Sequence, residues 1–117
     1  MYKIYNLTMN KNMTKEISDS EFQEEVLNSK ELVLIDFWAP WCGPCRMLTP
    51  IIDQLSEELK GTVKIVKMNI DSNPESSSRL GVRSIPTLIL FKDGKQVDLK
   101  TGVHQKNSLT EWINSSI

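Results

Sequence analysis

The chain has little of several things that would place it in other classes of protein. Only two cysteines and one histidine occur among 117 residues, too few to supply the four ligands of a structural zinc site from one chain. The 14 basic and 15 acidic residues leave a formal net charge of −1, so no basic field is available for phosphate backbones. No Gly-x-Gly or phosphate-loop pattern is present. The sequence therefore predicts no nucleic-acid partner and no nucleotide site.

Long apolar runs are also missing. Residues 1–12 contain charged and amide side chains and no apolar stretch of the length that a signal sequence or a membrane span requires. With 39% hydrophobic and 25% charged residues, the chain is typical of a single domain whose core needs no cross-link. We therefore expect a flexible extension over residues 1–12, one domain over residues 13–117, and a cytoplasmic monomer without membrane contact.

What the chain does have is one Cys-x-x-Cys unit, Cys42-Gly43-Pro44-Cys45, directly after Trp41. Two thiols at this spacing can form a disulfide, and so short a loop constrains the unfolded chain very little. The pair is therefore predicted to be a disulfide that is made and broken. Zinc binding is the alternative, but the chain offers only His104 as a further ligand, so a second chain would have to complete the site.

Apolar periodicity predicts how the chain is organised around this unit. The nearly continuous apolar run over 32–38 is typical of a strand buried on both faces of a parallel sheet. Helical spacing of apolar residues then predicts a helix over 43–60, ended by Gly61. The cysteines should consequently lie where a strand turns into a helix.

The rest of the chain continues this alternation. Further strands are predicted over 63–70, 87–92 and 95–101, the last two joined by Asp93-Gly94, which suits a type I′ turn. Three more helices are predicted from capping boxes at 18–21 and 108–111 and from Asn73-Pro74 with Gly81, which bracket a short helix. The sequence thus predicts an α/β domain with a mixed sheet.

The start of a helix assigns roles to the two thiols. Its unpaired backbone N–H groups and positive dipole end favour a thiolate, which makes Cys42 the nucleophile and Cys45 the resolving thiol. Gly43 is expected to let the backbone turn closely, and Pro44 suits the first helical turn. Because this dipeptide brings no extra hydrogen-bond donor to the thiolate, it favours a reductant over an oxidant.

Asp36 is the second candidate for chemistry. It places a carboxyl group inside the apolar strand, six residues before Cys42, and burial can raise the pKa of such a group by up to about 3–5 units. A carboxylate of this kind could accept the proton that Cys45 must lose before it attacks. The alternative is that Asp36 faces a polar loop at the edge of the strand.

The segment Asp36–Met47, with the sequence DFWAPWCGPCRM, resembles the active-site segment of the thioredoxin family, of the bacterial and plastid type. The similarity covers about residues 13–117 and continues through Pro50, 67–71, 83–87, 92–94 and Gly102. Motifs spread in order along a whole chain are far more specific than one isolated Cys-x-x-Cys. The resemblance implies the thioredoxin fold, in which four helices flank a central five-stranded mixed sheet.

The resemblance also implies partners for the two thiols. A buried Asp36 would pair with Lys67, and a cis peptide before Pro86 would pack against the cysteines. In this family the residue before the cis-proline pairs with an extended segment of the substrate, which points to Ile85. Trp41 and the loop around Gly102 would complete an apolar rim for partner proteins.

The function implied by the resemblance is reduction of protein disulfides by dithiol-disulfide exchange. A thioredoxin reductase would recharge the chain with electrons from NADPH or ferredoxin, disulfide-containing proteins would be its clients, and no bound cofactor would be needed. Two alternatives remain open at this point. One is a disulfide isomerase or oxidant on the same fold, and the other is a binding or assembly module whose thiols are incidental.

Overall fold

The computed structural model describes residues 14–117, so the extension expected over residues 1–12 lies outside the described residues. Strands and helices alternate along this part of the chain. In chain order they are β1 Lys15–Glu16, α1 with a 3-10 turn at Asp19–Glu21 and a π-helical segment at Gln23–Leu27, β2 Leu32–Trp38, α2 Gly43–Glu58, β3 Val63–Asn69, α3 Pro74–Arg79, β4 Thr87–Lys92, β5 Lys95–Thr101 and α4 Lys106–Asn114.

The five strands form one mixed sheet in the order β1-β3-β2-β4-β5. Strand β3 is parallel to both β1 and β2. Strand β4 is antiparallel to β2, and β5 is antiparallel to β4. The apolar run of β2 therefore lies at the centre of the sheet, as its composition predicts. The predicted α/β architecture, with a five-stranded mixed sheet and four helices, is confirmed.

Each face of the sheet carries its own apolar core, because successive strand residues point to opposite faces. Leu34 of β2 packs with Ile52 of α2 and Ile113 of α4 on one face. The next residue, Ile35, packs with Val26 of α1 on the other face. All five side chains are at most 1% exposed. The central strand is thus fixed from both sides, and so is the direction in which it delivers the chain to the cysteines.

Helix boundaries differ from the sequence prediction in two places. Helix α4 begins at Lys106 with Gln105 as its N-cap, so Ser108 is not the cap that the pattern suggested. The reason is that the Leu109 N–H already donates to the Gln105 carbonyl oxygen, at 3.1 Å. Helix α2 ends at Glu58 rather than at residue 60, and the chain then passes through Gly61 at φ 89°.

The predicted capping box at 18–21 and the predicted type I′ turn at 93–94 agree with the structure. The Ser18 N–H donates to the Glu21 carboxylate at 2.9 Å, which is half of a capping box. The helix that follows is irregular, since the Asn28 N–H donates to the Gln23 carbonyl oxygen five residues earlier. Asp93 and Gly94 have φ angles of 52° and 77°, as the two central residues of a type I′ turn require.

Candidate active site

The cysteine pair lies where β2 turns into α2. Cys42 is the N-cap of the helix and Pro44 occupies its first turn, where the missing proline N–H would have had no intrahelical partner. Cys42 and Cys45 are joined by a disulfide, and the Cys45 N–H donates to Cys42 Sγ at 3.1 Å. One of the free N–H groups of the helix terminus is therefore directed at this sulfur, so it stabilises negative charge there when the bond is reduced.

Gly43 is not explained by the turn itself. Its φ is not in the positive range, and a Cβ added to it would meet nothing within 4 Å. The expectation that this glycine is needed for a close turn of the backbone is therefore wrong. The space beside it is open, so the absence of a side chain leaves room for a partner to approach the disulfide.

Apolar side chains surround the two sulfur atoms. Cys42 is 4% exposed and Cys45 is 2% exposed. They form a small cluster with the buried Ala39, against which Trp38 and Ile85 pack. The Ile85 carbonyl oxygen lies 3.8 Å from Cys42 Sγ. Ile85 is thus in contact with the cysteines, as the resemblance implied.

A rim of residues from other elements surrounds this cluster. The peptide bond between Ile85 and Pro86 is cis, which agrees with the expectation. The Gly102 N–H donates to the Pro86 carbonyl oxygen at 2.9 Å, so the loop after β5 is held beside the proline. Trp41 is 66% exposed, and its Nε1 donates to Asp71 Oδ2 at 2.9 Å. One hydrogen bond therefore joins two of the four predicted rim residues, Pro86 and Gly102, whereas Trp41 is held by Asp71.

Asp71 is a part of this rim that the sequence analysis missed. It follows the carboxyl end of β3, and the cysteines follow the carboxyl end of the neighbouring parallel strand β2. Parallel strands bring their carboxyl ends to the same edge of a sheet. A polar residue two positions after the end of β3 was therefore the available signal, and it would have placed Asp71 near Trp41.

Asp36 is buried on the central strand with 1% exposure, and its Oδ1 has no hydrogen-bond partner among residues 14–117. Burial raises the pKa of the Asp36 carboxyl to about 7, the charge of Lys67 lowers it, and the charges of Glu16 and Asp53 add to the rise. The alternative of a residue facing a polar loop is wrong. Asp36 instead lies in the buried centre of the sheet, where its carboxyl pKa is close to neutral pH.

The expected ion pair between Asp36 and Lys67 is not what the structure contains. The two residues are direct neighbours on β2 and β3, but the Lys67 ammonium lies 3.8 Å from Glu16 Oε2 and 4.5 Å above the ring centre of Trp38. The Glu16 side chain is 47% exposed, so pairing with it sacrifices less hydration than pairing with the buried Asp36. Lys67 therefore acts on Asp36 through its charge rather than through a direct contact.

Residues 14–117 contain no group of three or more His, Cys, Asp or Glu side chains that could hold a metal ion. The only histidine, His104, lies after β5, and its Nε2 is 2.9 Å from the Thr101 carbonyl oxygen. No helix within these residues is both long enough and apolar enough to cross a membrane.

Comparison with known proteins identifies the family. The thioredoxin family model matches residues 13–115 of this chain. The chain belongs to the thioredoxin family. A thioredoxin of Rickettsia felis is 62% identical over 105 residues, which are 90% of this chain and 100% of the relative. The thioredoxin of a Synechocystis species is 52% identical over 100 residues, covering 86% of this chain and 94% of the relative.

A more distant relative gives the same result. The thioredoxin of Pyropia yezoensis is 46% identical over 102 residues, covering 87% of this chain and 95% of the relative. Thioredoxins are protein-disulfide reductases with a redox-active cysteine pair, and this chain carries such a pair at Cys42 and Cys45. The predicted fold and the predicted function as a thiol-disulfide oxidoreductase are confirmed. As in the family generally, its partners are a reductase and disulfide-containing proteins.

Proposed function

We propose that this thioredoxin reduces client proteins by attack of the Cys42 thiolate on one sulfur of a client disulfide. The client's other sulfur leaves as a thiolate and takes up a proton, and a mixed disulfide joins Cys42 to the client. Cys45 then loses its proton and attacks Cys42 Sγ. The client leaves as a dithiol, and two electrons have passed from the pair to it. The hydrogen bond from the Cys45 N–H to Cys42 Sγ carries this assignment.

The proton of Cys45 goes to Asp36 in this proposal. A general base is most effective when its pKa lies near the working pH, and the Asp36 carboxyl has a pKa of about 7 because it is buried. Its Oδ1, which has no hydrogen-bond partner among residues 14–117, would accept this proton. Lys67 holds a positive charge beside Asp36 and so limits how far that pKa rises.

Client binding is assigned to Trp41, Ile85, Pro86 and Gly102. An extended segment of the client would pair with the backbone at Ile85, a form of strand addition. Ile85 supports this role because its carbonyl oxygen already lies beside Cys42 Sγ. Trp41 supports it with a large exposed apolar ring, and the open space at Gly43 admits the client backbone.

The electron donor, the cellular compartment and the oligomeric state follow from this reaction as further parts of the proposal. A thioredoxin reductase would return electrons from NADPH or ferredoxin to the Cys42–Cys45 disulfide, so the chain itself needs no bound cofactor. A reductant must be kept reduced, which favours the cytoplasm as its compartment. The net charge of −1 argues against a nucleic-acid partner. We also propose that the protein works as a monomer.

Insulin reduction driven by dithiothreitol or by a thioredoxin reductase tests this function directly. We expect Cys42→Ser to abolish turnover. Cys45→Ser should still attack but cannot resolve, so it should accumulate a mixed disulfide with insulin that gel electrophoresis detects and dithiothreitol removes. A stable adduct on Cys42→Ser, with none on Cys45→Ser, would reverse the two roles.

Two further measurements separate this function from the alternatives. An isomerase or oxidant would have a reduction potential well above that of a reductant, near the range from about −180 to −120 mV. For a binding module, the double variant Cys42→Ser, Cys45→Ser would keep full activity in the cell. We expect a reduction potential close to about −270 mV, which is the typical value for thioredoxin. We also expect the double variant to lose its activity completely.

A further inference from the structure

Three charged residues stand side by side across three neighbouring strands. Strand β3 lies between β1 and β2 in the sheet, and Lys67 of β3 is in register with Glu16 of β1 and with Asp36 of β2. Neighbouring strands are about 4.8 Å apart, and side chains in register share a face. One ammonium group therefore lies within reach of two carboxyl groups on opposite sides of it.

The lysine is not shared equally between them. Its Nζ lies 3.8 Å from Glu16 Oε2 and over the ring of Trp38. The Oδ1 of Asp36 has no hydrogen-bond partner in the described part of the chain, although the residue is buried. A buried carboxylate gains more from an adjacent ammonium than an exposed one does. Glu16 is thus the group that competes with Asp36 for Lys67.

Among residues 14–117, Lys67 is the one positive charge that shifts the pKa of the Asp36 carboxyl. Strand β4 places Leu88 opposite Asp36. Helix α2 contributes Asp53, whose negative charge also raises the pKa of the Asp36 carboxyl. Asp53 is occupied elsewhere, since its Oδ1 accepts hydrogen bonds from the Thr14 N–H at 3.0 Å and from Thr14 Oγ1 at 2.6 Å. Lys67 is therefore the charge through which the basicity of Asp36 can be adjusted.

We propose that Glu16 is a positioning residue for disulfide exchange: it holds the Lys67 ammonium away from Asp36 and so keeps the Asp36 carboxylate basic enough to accept the Cys45 proton. The inference rests on the role proposed above for Asp36. Glu16 itself touches neither sulfur nor substrate. Its effect should appear in the resolving step, which needs that proton transfer, and not in the first attack by Cys42.

The direct test is titration of the Asp36 carboxyl by ¹³C NMR in Glu16→Gln and in two comparison variants. Glu16→Gln removes a negative charge and frees Lys67 to approach Asp36, so the midpoint of Asp36 should fall by about 0.5–1 pH unit. Glu16→Asp keeps the charge and should titrate close to the parent protein. Glu111→Gln makes the same chemical change at an exposed position on α4 and should leave the midpoint unchanged.

The kinetic test measures release of the client from the mixed disulfide by stopped flow. At pH 8, where Asp36 is ionised in every variant, Glu16→Gln should resolve about twofold to threefold more slowly, since a weaker base transfers the proton less readily. The rate of the first attack should not change. An Asp36 midpoint or a resolving rate in Glu16→Gln equal to that of Glu111→Gln would overturn the inference.

Asp36→Asn distinguishes this failure from failure of the proposed function. If Asp36→Asn slows resolution while Glu16→Gln changes neither the midpoint nor the rate, Asp36 keeps its role and Glu16 has none. If Asp36→Asn resolves as fast as the parent protein, Asp36 is not the proton acceptor, and both proposals are overturned together.

Discussion

The Asp36 carboxyl group links catalysis to stability. Its pKa is about 7 in the folded protein because of burial, against an ordinary value of 3.8. Below about pH 4 both the folded and the unfolded states bind the proton. As the pH rises from 4 to 7 the unfolded state ionises first, so the free energy of unfolding falls across this range. Above about pH 8 the loss is complete and amounts to about 4 kcal/mol.

Asp36→Asn should therefore stabilise the protein at alkaline pH while it slows exchange. We expect the free energy of unfolding of the variant to be about 4 kcal/mol higher than that of the parent at pH 8 and nearly equal to it at pH 4. Denaturant unfolding of the oxidised protein at both pH values measures this. A difference that is the same at pH 4 and pH 8 would mean that Asp36 has an ordinary pKa.

Single residues were predictable from sequence only where their neighbours along the chain define their surroundings. Asp36 stands in an apolar run and the cysteines stand at the start of a helix, so burial and helix geometry follow from the pattern. Glu16 and Asp71 instead contact residues from distant parts of the chain, Lys67 on β3 and Trp41 in the loop after β2. The contact of Glu16 depends on the register of β1, and a strand of two residues is too short for apolar periodicity to reveal its register. The contact of Asp71 depends on the path of the loop after β3.

At the scale of elements, we expect the start of α2 to set the balance between the oxidised and reduced forms of the cysteine pair. Pro44 occupies the first turn and adds no donor to the Cys42 sulfur. A histidine in its place would carry a positive charge beside the thiolate and stabilise the reduced form. Pro44→His should therefore raise the reduction potential by about 30 mV or more.

Equilibration with glutathione buffers measures this potential. Glu57→His introduces the same ring at an exposed position near the other end of α2, and it should leave the potential where it is. If both variants shift equally, or if neither shifts, the dipeptide between the cysteines does not control the potential.

Periodicity predicted the strands and the long helix well, because each buries a continuous apolar stripe. It failed at helix starts that depend on backbone hydrogen bonds. Gln105 caps α4 although Ser108 carries the typical sequence pattern, and the π-helical segment Gln23–Leu27 has no signature in the order of its residues. The start of α4 and the π-helical segment are both determined by local backbone hydrogen bonds, which the spacing of apolar residues does not predict.

At the scale of the whole molecule, the β4–β5 hairpin is fitted against α1. A Cβ added to Gly94 would lie 2.9 Å from the Leu27 carbonyl oxygen, and the residue has φ +77°. Gly94→Ala should therefore force apart two segments far apart in sequence, in addition to straining the turn. We expect a loss of about 1–3 kcal/mol in the free energy of unfolding.

Gly61→Ala is the matched comparison for this loss. Gly61 has φ +89°, but a Cβ there would meet nothing within 4 Å, so its substitution reports the cost of the backbone angle alone. Urea unfolding of both variants gives the two costs. Equal losses would show that the hairpin and α1 can separate freely.

The order of the strands could not be read from periodicity. The pattern predicted alternating strands and helices, but neither the crossing of β3 to the outer side of β2 nor the place of the short β1 follows from it. The resemblance to a family implied five strands in a mixed sheet but not their order, which the structure supplies. Long-range pairing is decided by which elements cover which face, and that information is distributed over the chain rather than held in any segment.

The burial of the two cysteines has a consequence for the molecules that this protein reduces. Cys42 is only 4% exposed among apolar neighbours, so a client sulfur must come very close to the surface of this protein in order to be attacked. A disulfide held rigidly inside a folded client cannot make that approach until its own segment opens. The observed reduction rate of such a client is therefore proportional to the equilibrium constant for that opening. We expect clients whose disulfides lie in locally less stable segments to be reduced faster.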